Sequence, residues 1–257
     1  MRTIAILNLK GGVGKTTTAV NMASILAERG YRCVVIDADP QANATQFFGI
    51  DGEECNTTTD MLLPTYIGGD VDDFLYATAT AGVQIIPADF GLVDVDIASI
   101  RGENRTIVKR FKDVVDTLND DDMTDFVIVD CPPSFTAASI AAIYAADDII
   151  IPVKIDAFSM AGMKQLTKQI HSVQNIRPQI RIAGALITMW HNSPAVVQGE
   201  QLLRESRVPV FHTVIRRSDK VDEASFMRLP LGTYSSRSSA AKDYESFVTE
   251  YLEEVAI

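Results

Sequence analysis

The amino-acid sequence predicts an α/β fold, in which a mainly parallel, twisted sheet carries helices on both faces and residues 1–257 form a single domain. Short, continuous apolar runs of the kind found in strands covered on both faces recur along the chain and alternate with segments of helical spacing. The first apolar run leads through a glycine-rich turn into the first helical segment. Because 47% of the 257 residues are apolar, the chain can bury the core that such a fold requires.

The predicted strands are the short apolar runs, which contain no charged residue. They comprise residues 3–7, 33–36, 83–87, 126–129, 149–153 and 182–187. The predicted helices have apolar residues three or four positions apart, and the first of them ends at Gly30, a residue type that favours helix termination. They comprise residues 17–28, 106–118, 137–146, 159–175 and 195–205. This alternation predicts right-handed crossover connections and therefore parallel strands.

Residues 51–82 interrupt the alternation. The segment is acidic, rich in threonine and poorly periodic, so we predict a surface insertion that is mostly loop, with one short helix near residues 71–76. On the predicted helix 106–118, the basic side chains of Lys109, Arg110 and Lys112 are expected on the solvated face.

The formal net charge of −11 argues against a protein whose whole surface coats nucleic acid or an anionic membrane, because its mean field would repel both. The charge is unevenly distributed. Residues 51–130 carry 18 acidic and 5 basic side chains, whereas residues 204–242 carry 8 basic and 4 acidic ones, which makes the later segment net +4. A local basic patch is therefore compatible with the sequence.

Three cysteines, Cys33, Cys55 and Cys131, show neither a Cys-x-x-Cys pair nor a spacing with histidine that would hold a metal. An odd number of cysteines without a disulfide framework favours a reducing compartment, so we expect a cytoplasmic protein. No apolar run approaches the ~18 residues of a membrane span, and the first run is too short for a signal peptide.

The stretch from Lys10 to Thr17 has the residue types of a phosphate-binding loop. Its glycines allow the backbone to bend so that successive N–H groups point inward, and the helix that follows adds partial positive charge. Lys15 adds a full charge, and Thr16 stands where the P-loop pattern places a hydroxyl ligand of Mg²⁺. A tight glycine-rich turn without function would explain neither lysine, so the predicted fold is of the P-loop NTPase type. The predicted nucleotide-binding residues are Lys10, Gly11, Gly12, Val13, Gly14, Lys15, Thr16 and Thr17.

Two of the predicted strands end in acidic residues, at the edge of the sheet where open α/β folds bind ligands. Asp37 and Asp39 follow the second run, and they could either serve the site or cap the next helix, since aspartate is favoured at helix N-termini. Asp130 follows the run 126–129. In a P-loop protein a carboxylate at that place holds Mg²⁺ directly or through a water, so Thr16 and Asp130 are the predicted metal ligands.

The motifs Lys10-Gly-Gly-Val-Gly-Lys-Thr-Thr, Asp37-Ala-Asp-Pro-Gln41 and Asp130-Cys-Pro-Pro-Ser134, in this order and spacing, resemble those of the deviant Walker A ATPases, and specifically the ParA/Soj partition proteins. The resemblance covers nearly the whole chain and is strongest over residues 1–48 and 126–160. It implies an ATPase that uses ATP and Mg²⁺, hydrolyses ATP slowly, and is stimulated by DNA and a ParB-like DNA-binding adaptor. It also implies a partition switch that binds DNA non-specifically, and so associates with the nucleoid, when ATP is bound.

The resemblance further assigns roles to the lysines and to Asp39. ATP is expected to join two subunits in a homodimer in which Lys10 reaches the phosphates of the partner, while Asp39 is needed for hydrolysis. Lys10, Lys15 and Asp39 are therefore the predicted catalytic residues. Phosphoryl transfer needs charge neutralisation and a positioned water more than covalent catalysis, and these residue types can supply both.

The DNA-binding residues are predicted within the late basic segment. The family segment Ile-Pro-Arg-Asn appears here as Ile215-Arg-Arg-Ser218, which lacks the proline of the adenine-side loop. DNA binding is assigned to Arg216, Arg217, Lys220 and Arg228. For Arg216, Arg217 and Lys220, the alternative is that the side chains form ion pairs with nearby acids, namely Asp219, Asp222 and Glu223. Longer family members carry an N-terminal helix-turn-helix that is not expected here, nor is operator-specific self-repression.

Three other functions within the superfamily are alternatives. A MinD-like membrane-positioning ATPase would need a basic amphipathic C-terminal helix, but residues 243–257 contain five acidic residues and no lysine or arginine, so no membrane partner is expected. A metabolic enzyme or iron–sulfur reductase is disfavoured because the cysteines form no cluster pattern. A scaffold that binds nucleotide without hydrolysing it is the alternative if Asp39 is not catalytic.

Overall fold

A computed structural model describes residues 1–63, 70–120, 122–156 and 159–256, and a sheet of eight strands lies at its centre. In chain order the strands are β1 (Arg2–Ile6), β2 (Cys33–Asp37), β3 (Tyr76–Ala77), β4 (Val83–Ile86), β5 (Phe126–Asp130), β6 (Asp148–Lys154), β7 (Arg181–Trp190) and β8 (Val210–Arg216). Their order across the sheet is β3-β4-β2-β5-β1-β6-β7-β8. All neighbouring pairs are parallel except β3 with β4, which confirms the predicted mainly parallel sheet.

Helices cover both faces of this sheet, as predicted. In chain order they are α1 (Lys15–Glu28), α2 (Asn43–Phe47), α3 (Thr58–Leu62), α4 (Leu92–Ala98), α5 (Asn104–Asp120), α6 (Ala137–Ala145), α7 (Ser159–Gln174), α8 (Pro194–Arg204), α9 (Asp219–Phe226), α10 (Leu231–Ser235) and α11 (Ser239–Glu254). One apolar cluster includes side chains from the sheet, α1, α2 and α11, and the other includes side chains from the sheet and α3 to α8. Among the described helices, none has the length and hydropathy needed to cross a bilayer.

Parallel pairing places the carboxyl ends of β1, β2 and β5 side by side. In the register of the sheet, Asp130 at the end of β5 is paired with Ile6 of β1 on one side and with Asp37 of β2 on the other. Both β2 and β5 are buried along their whole length, because helices cover both of their faces. The glycine-rich loop and the two acidic strand ends therefore meet at one edge of the sheet.

The segment 51–82 differs from its prediction as mostly surface loop. A short 3₁₀ helix, Val71–Phe74, lies where one short helix was predicted, but α3 and the 3₁₀ turn Gly52–Glu54 were not predicted. Thr57 and Asp60 form a capping box at the start of α3, and Met61 and Leu62 are buried in the core. The five residues of α3 are too few to show a helical period, so the sequence did not predict this helix. Residues 64–69 lie outside the described part of the chain.

Other elements also have no counterpart among the predictions, namely β3, β8, α4, α9, α10 and α11. On α4, Val93 and Ile97 are exposed apolar residues, so apolar side chains lie on more than one face and blur the helical pattern. Strand β8 is at the edge of the sheet and mixes buried with exposed residues, so it lacks the continuous apolar run used to identify the central strands.

Asp148, the first residue of β6, is fully buried at the amino edge of the sheet. Arg2 of β1 and Arg181 of β7 form ion pairs with its carboxylate, and the Tyr251 hydroxyl of α11 donates a hydrogen bond to it at 2.7 Å. Burial alone would raise the pKa of Asp148, but the hydrogen bonds from these three donors hold it below its usual value. The charged carboxylate thus joins three strands to the last helix.

Asp148→Asn should lower the free energy of unfolding at neutral pH by about 3 kcal/mol, because it leaves partly buried arginines without their counter-ion. Since folding lowers the pKa of Asp148, the stabilisation is present above the ordinary value of 3.8 and is lost as the pH falls. Urea denaturation of both proteins over a range of pH measures this difference, which should shrink in acid. As a control, Asp113→Asn removes only an exposed pair with Lys109 and should cost about 0.5 kcal/mol or less. Equal effects of the two substitutions would contradict the role given to burial.

Candidate functional site

A cavity of about 500 Å³ opens at the carboxyl edge of the sheet, above the ends of β1, β2 and β5. Residues of the glycine-rich loop and the start of α1 line one part of it, and Asp39 and Pro133 line another. Gln46 and Phe47 of α2, and Arg228 in the turn after α9, complete the wall. The structure thus brings most of the predicted nucleotide-binding loop together with Asp39 around one cavity.

The glycine-rich loop has a backbone that requires glycine at two positions. Gly12 and Gly14 have φ values of +66° and +88°, which other residues adopt only with strain. The loop is held from the neighbouring strand β7, because the Thr188 hydroxyl donates a hydrogen bond to the Val13 carbonyl at 2.8 Å. At its other end the Lys10 amide donates to Asn8 Oδ1 at 3.0 Å. These anchors fix a bend with the following helix N-terminus directed at the cavity.

Lys15 begins α1 and is 7% exposed. Its ammonium group donates a hydrogen bond to the Lys10 carbonyl at 3.1 Å, which curls the side chain back over the loop. Burial lowers the pKa of Lys15, while the nearby carboxylates of Asp130 and Asp39 act in the opposite direction. A phosphate in the cavity would provide the buried cation with a strong counter-charge.

Lys10 takes a different direction. Its ammonium group forms an ion pair with Asp156, which follows β6, and 39% of its side chain is exposed. Among the described residues that line the cavity, Lys10 is not included. The two lysines of the loop therefore take different positions. Lys15 lines the cavity, whereas the ammonium group of Lys10 is held at the surface beside it.

Asp37 and Asp39 have separate roles in the structure. Asp37 is fully buried, and its carboxylate accepts hydrogen bonds from the Thr45 amide and hydroxyl at 2.9 and 2.8 Å and from the Asp39 amide at 3.1 Å. Burial raises the pKa of Asp37 to about 6, despite these hydrogen bonds. Asp37 thus anchors α2 and the segment that carries Asp39. Of the two roles considered from the sequence, a site role or helix capping, the contacts of Asp37 correspond to helix capping.

Asp39 lines the cavity and keeps one carboxylate oxygen available. Its Oδ1 atom accepts a hydrogen bond from the Gln41 amide at 2.9 Å, which shapes the turn between β2 and α2. Within the described part of the chain, no hydrogen bond is found to its Oδ2 atom. A carboxylate that is 6% exposed and has a free oxygen at the cavity can position a water molecule.

The pair of Thr16 and Asp130 fits a magnesium ion. The Thr16 hydroxyl donates a hydrogen bond to Asp130 Oδ2 at 2.6 Å, and Asp130 Oδ1 is buried without a hydrogen-bond partner in the described residues. Burial raises the pKa of Asp130 well above its usual value, and the negative charge of Asp37 adds to this effect. A divalent cation would satisfy the orphaned oxygen and favour the ionised carboxylate.

In the described residues there is no group of three or more histidine, cysteine or acidic side chains arranged to hold a metal. A site of one hydroxyl and one carboxylate suits Mg²⁺ nevertheless, because this ion keeps several waters and usually takes its remaining ligands from phosphates.

The four basic residues predicted to contact DNA do not form one patch. Arg216 makes a bidentate ion pair with Asp243 of α11, and Lys220 pairs with Glu223 one turn along α9. Arg216 and Arg217 line a second cavity, of about 220 Å³, which adjoins the first at Gly14 and Thr17. Arg228 instead lines the first cavity. The ion-pair alternative therefore holds for Lys220, whereas Arg216 pairs with a partner that sequence analysis did not consider.

Several supporting residues were missed. Asn8 and Thr188 form hydrogen bonds that hold the glycine-rich loop. Thr45 donates a hydrogen bond to Asp37, and Asp156 forms an ion pair with Lys10. Asn8 and Thr188 are polar residues at or beyond the ends of apolar runs, a signal that could have marked them. Nothing in the sequence links Asp156 to Lys10, because 146 positions separate them.

Comparison with known proteins finds a chromosome partitioning protein among the relatives of this chain. A family model described as an AAA domain matches residues 1–182. The chain is 32% identical to the chromosome partitioning protein ParA of Caulobacter vibrioides, over 98% of this chain and 94% of that protein. It is 34% identical to the sporulation initiation inhibitor protein Soj of Bacillus subtilis, over 96% of each.

A solved structure similar to this fold is cobyrinic acid a,c-diamide synthase from Mycobacterium smegmatis, crystallised with ADP and magnesium. The TM-score is 0.83 and the identity is 25%, over 100% of this chain and 96% of that one. The whole chain therefore has the architecture of a known nucleotide-binding protein.

Proposed function

The chain belongs to the family of ParA and Soj partition ATPases, and we propose that it is an ATP-dependent dimerising switch acting on DNA in plasmid or chromosome partition. The observation that carries this proposal is the cavity where the glycine-rich loop, Lys15, the Thr16–Asp130 pair and Asp39 meet. A phosphate cradle, a magnesium site and a water-positioning carboxylate are the parts that hydrolysis of a nucleoside triphosphate requires.

In the proposed mechanism, the inward amides of the loop and the Lys15 ammonium group bind the β- and γ-phosphates of ATP. Thr16 and Asp130 would hold Mg²⁺, which would supply positive charge against the phosphates. Asp39 orients a water toward the γ-phosphate, and ATP and water yield ADP and phosphate.

The proposed homodimer depends on Lys10. This side chain sits at the surface next to its own cavity and outside its lining, which suits a residue that reaches the phosphates of a second subunit. The site would then be complete only when two subunits face each other across two ATP molecules. Hydrolysis would separate the subunits, giving a slow ATPase whose dimer lifetime is set by ATP.

The proposed partners are non-specific DNA, which would bring the ATP-bound protein from the cytoplasm to the nucleoid, and a ParB-like adaptor that stimulates hydrolysis. A membrane-positioning role has less support, because the C-terminal helix α11 is already used in the fold. Its Phe247 and Tyr251 side chains are fully buried against the sheet and α1. An amphipathic helix cannot present the same apolar face to a bilayer.

Gel filtration with ATP, ADP or no nucleotide, followed by DNA retention on the same samples, tests this proposal. We expect a dimer and DNA retention with ATP only. ATPase activity should rise when non-specific DNA is added. A protein that binds ATP but stays monomeric would contradict the switch.

Arg217 provides the most direct test of the DNA surface. Its guanidinium forms no ion pair within the described chain, in contrast to Arg216 and Lys220, and two copies would come together in the dimer. Arg217→Ala should weaken DNA retention and reduce the magnitude of the log K against log salt slope by roughly 0.9 per lost phosphate contact, or about 2 per dimer. Fluorescence anisotropy of labelled duplex DNA over a series of salt concentrations measures the slope.

Lys109→Ala serves as the control, because Lys109 lies on α5 and is paired with Asp113. It should leave the slope unchanged, and both variants should keep ATP-dependent dimerisation. If Arg217→Ala binds DNA with the affinity and slope of the wild-type protein, the DNA surface does not include this residue.

A further inference from the structure

The turn after α9 has an arginine where helices favour glycine. The Arg228 amide donates to the Ser225 carbonyl at 3.1 Å, and the Leu229 amide donates to the Ala224 carbonyl at 3.0 Å, which together form a Schellman motif. In this motif Arg228 occupies the left-handed position, with φ +55°. Glycine takes this conformation without a steric penalty, whereas arginine takes it at a cost in folding free energy. A strained residue beside a site suggests a function for its side chain.

The side chain of Arg228 lines the main cavity, together with Lys15 and Thr16. Within the described chain, its guanidinium has neither an ion pair nor a hydrogen bond. Two other arginines of the same basic segment are engaged, since Arg204 pairs with Glu200 and Arg216 pairs with Asp243. Arg228 is therefore an available cation on the wall of the cavity that contains the phosphate cradle.

We propose that Arg228 is a nucleotide-contacting residue whose guanidinium binds the phosphates of the nucleotide from the α9 side of the cavity. The inference rests on the proposed nucleotide site and adds a residue to it. A guanidinium presents several N–H donors in one plane and binds phosphate oxygens in a bidentate manner, which an ammonium group cannot do. With Lys15 on the loop side, Arg228 would hold the phosphates between two cations. The strained turn would then serve to position the guanidinium beside the phosphates.

Arg228 also lines a surface groove that is separate from the two cavities described above. The residues of this groove give the arginine side chain an alternative role. That groove contains the acidic side chains of Asp51, Glu53 and Asp89. If the arginine served mainly to balance these charges, its removal would destabilise the folded chain and leave nucleotide affinity unchanged. If Arg228 contacts the nucleotide, its removal would instead lower nucleotide affinity without destabilising the folded chain. Measuring both stability and nucleotide affinity on one variant therefore separates the two roles.

Arg228→Gly is the decisive variant, because glycine relieves the left-handed strain while removing the charge. We expect a melting temperature without nucleotide that is equal to or higher than that of the wild-type protein. The Kd for a fluorescent ATP analogue with Mg²⁺, measured without DNA, should rise about tenfold, as expected for loss of a hydrogen bond to a charged group. Arg228→Lys should lie between the two, because it retains the charge and loses the bidentate geometry.

Arg237→Ala is the matched control, since Arg237 is an exposed arginine of the same basic segment. It should bind the analogue as the wild-type protein does. Equal analogue affinity of Arg228→Gly and wild type would overturn the inference, whether the variant loses stability, loses DNA binding or loses nothing. Failure of the wild-type protein itself to bind the analogue would overturn the proposed nucleotide site, and the role of Arg228 with it.

Discussion

Asp39→Ala should bind ATP normally and hydrolyse it at least about a hundredfold more slowly than the wild-type protein. The carboxylate lines the cavity with a free oxygen, so its removal takes away the group that positions the attacking water. The glycine-rich loop, Lys15 and the Thr16–Asp130 pair are untouched by the substitution, so the phosphates should still be held. ATP-bound dimers should then accumulate, because the reaction that separates them is blocked.

Release of phosphate measures hydrolysis, and gel filtration with ATP measures dimers. Asp39→Asn is an informative companion, since an amide oxygen can still accept the Gln41 N–H that shapes the turn. If Asp39 only shaped the turn, the asparagine variant would hydrolyse ATP at the wild-type rate. Wild-type turnover in the alanine variant would remove Asp39 from the mechanism altogether.

Lys10→Ala should bind ATP as a monomer and fail to dimerise. Two triphosphates facing each other across a dimer carry opposing negative charge, and the loss of both crossing lysines would leave that charge less neutralised. Lys15 should maintain binding within each subunit, because its contact with the loop is made to the backbone carbonyl of residue 10. Light scattering with ATP and Mg²⁺, alongside binding of a fluorescent ATP analogue, separates the two effects.

Asp156→Asn is the matched control for this prediction. It removes the ion-pair partner of Lys10 within the same chain, so the lysine is freed and dimerisation with ATP should be equal to or stronger than in the wild-type protein. ATP-dependent dimers of Lys10→Ala at wild-type concentrations would contradict the arrangement in which this lysine crosses to the partner.

Six of the eight strands of the sheet, together with α1, α5, α6, α7 and α8, could be predicted because local signals were strong. Buried parallel strands such as β2 and β5 are continuous apolar runs, and α1 follows a loop whose glycines and lysines form a dense motif. Asp130 could be predicted as a site residue because its position at a strand end places it beside that loop.

Contacts between side chains of different structural elements could not be predicted in this way. The choice between a catalytic and a capping role for Asp37 depends on Thr45 reaching back to its carboxylate within the folded chain. The pairing of Arg216 with Asp243 depends on how α11 lies against β8. Charged residues are common at surfaces, so composition indicates that ion pairs exist but not which residues form them.

The Asp148 network couples local unfolding of α11 to strand β1. Its donors come from β1, from β7 and from α11, all at the edge of the sheet opposite the nucleotide cavity. If α11 detached, Tyr251 would leave a buried carboxylate with fewer partners, and the face of α1 that α11 covers would meet water. Fraying of the C-terminal helix is thereby coupled to β1, so the two ends of the chain belong to one cooperative unit. The strand that leads into the phosphate-binding loop is consequently held at its amino end by this network, while Asn8 and Thr188 hold the loop that follows its carboxyl end.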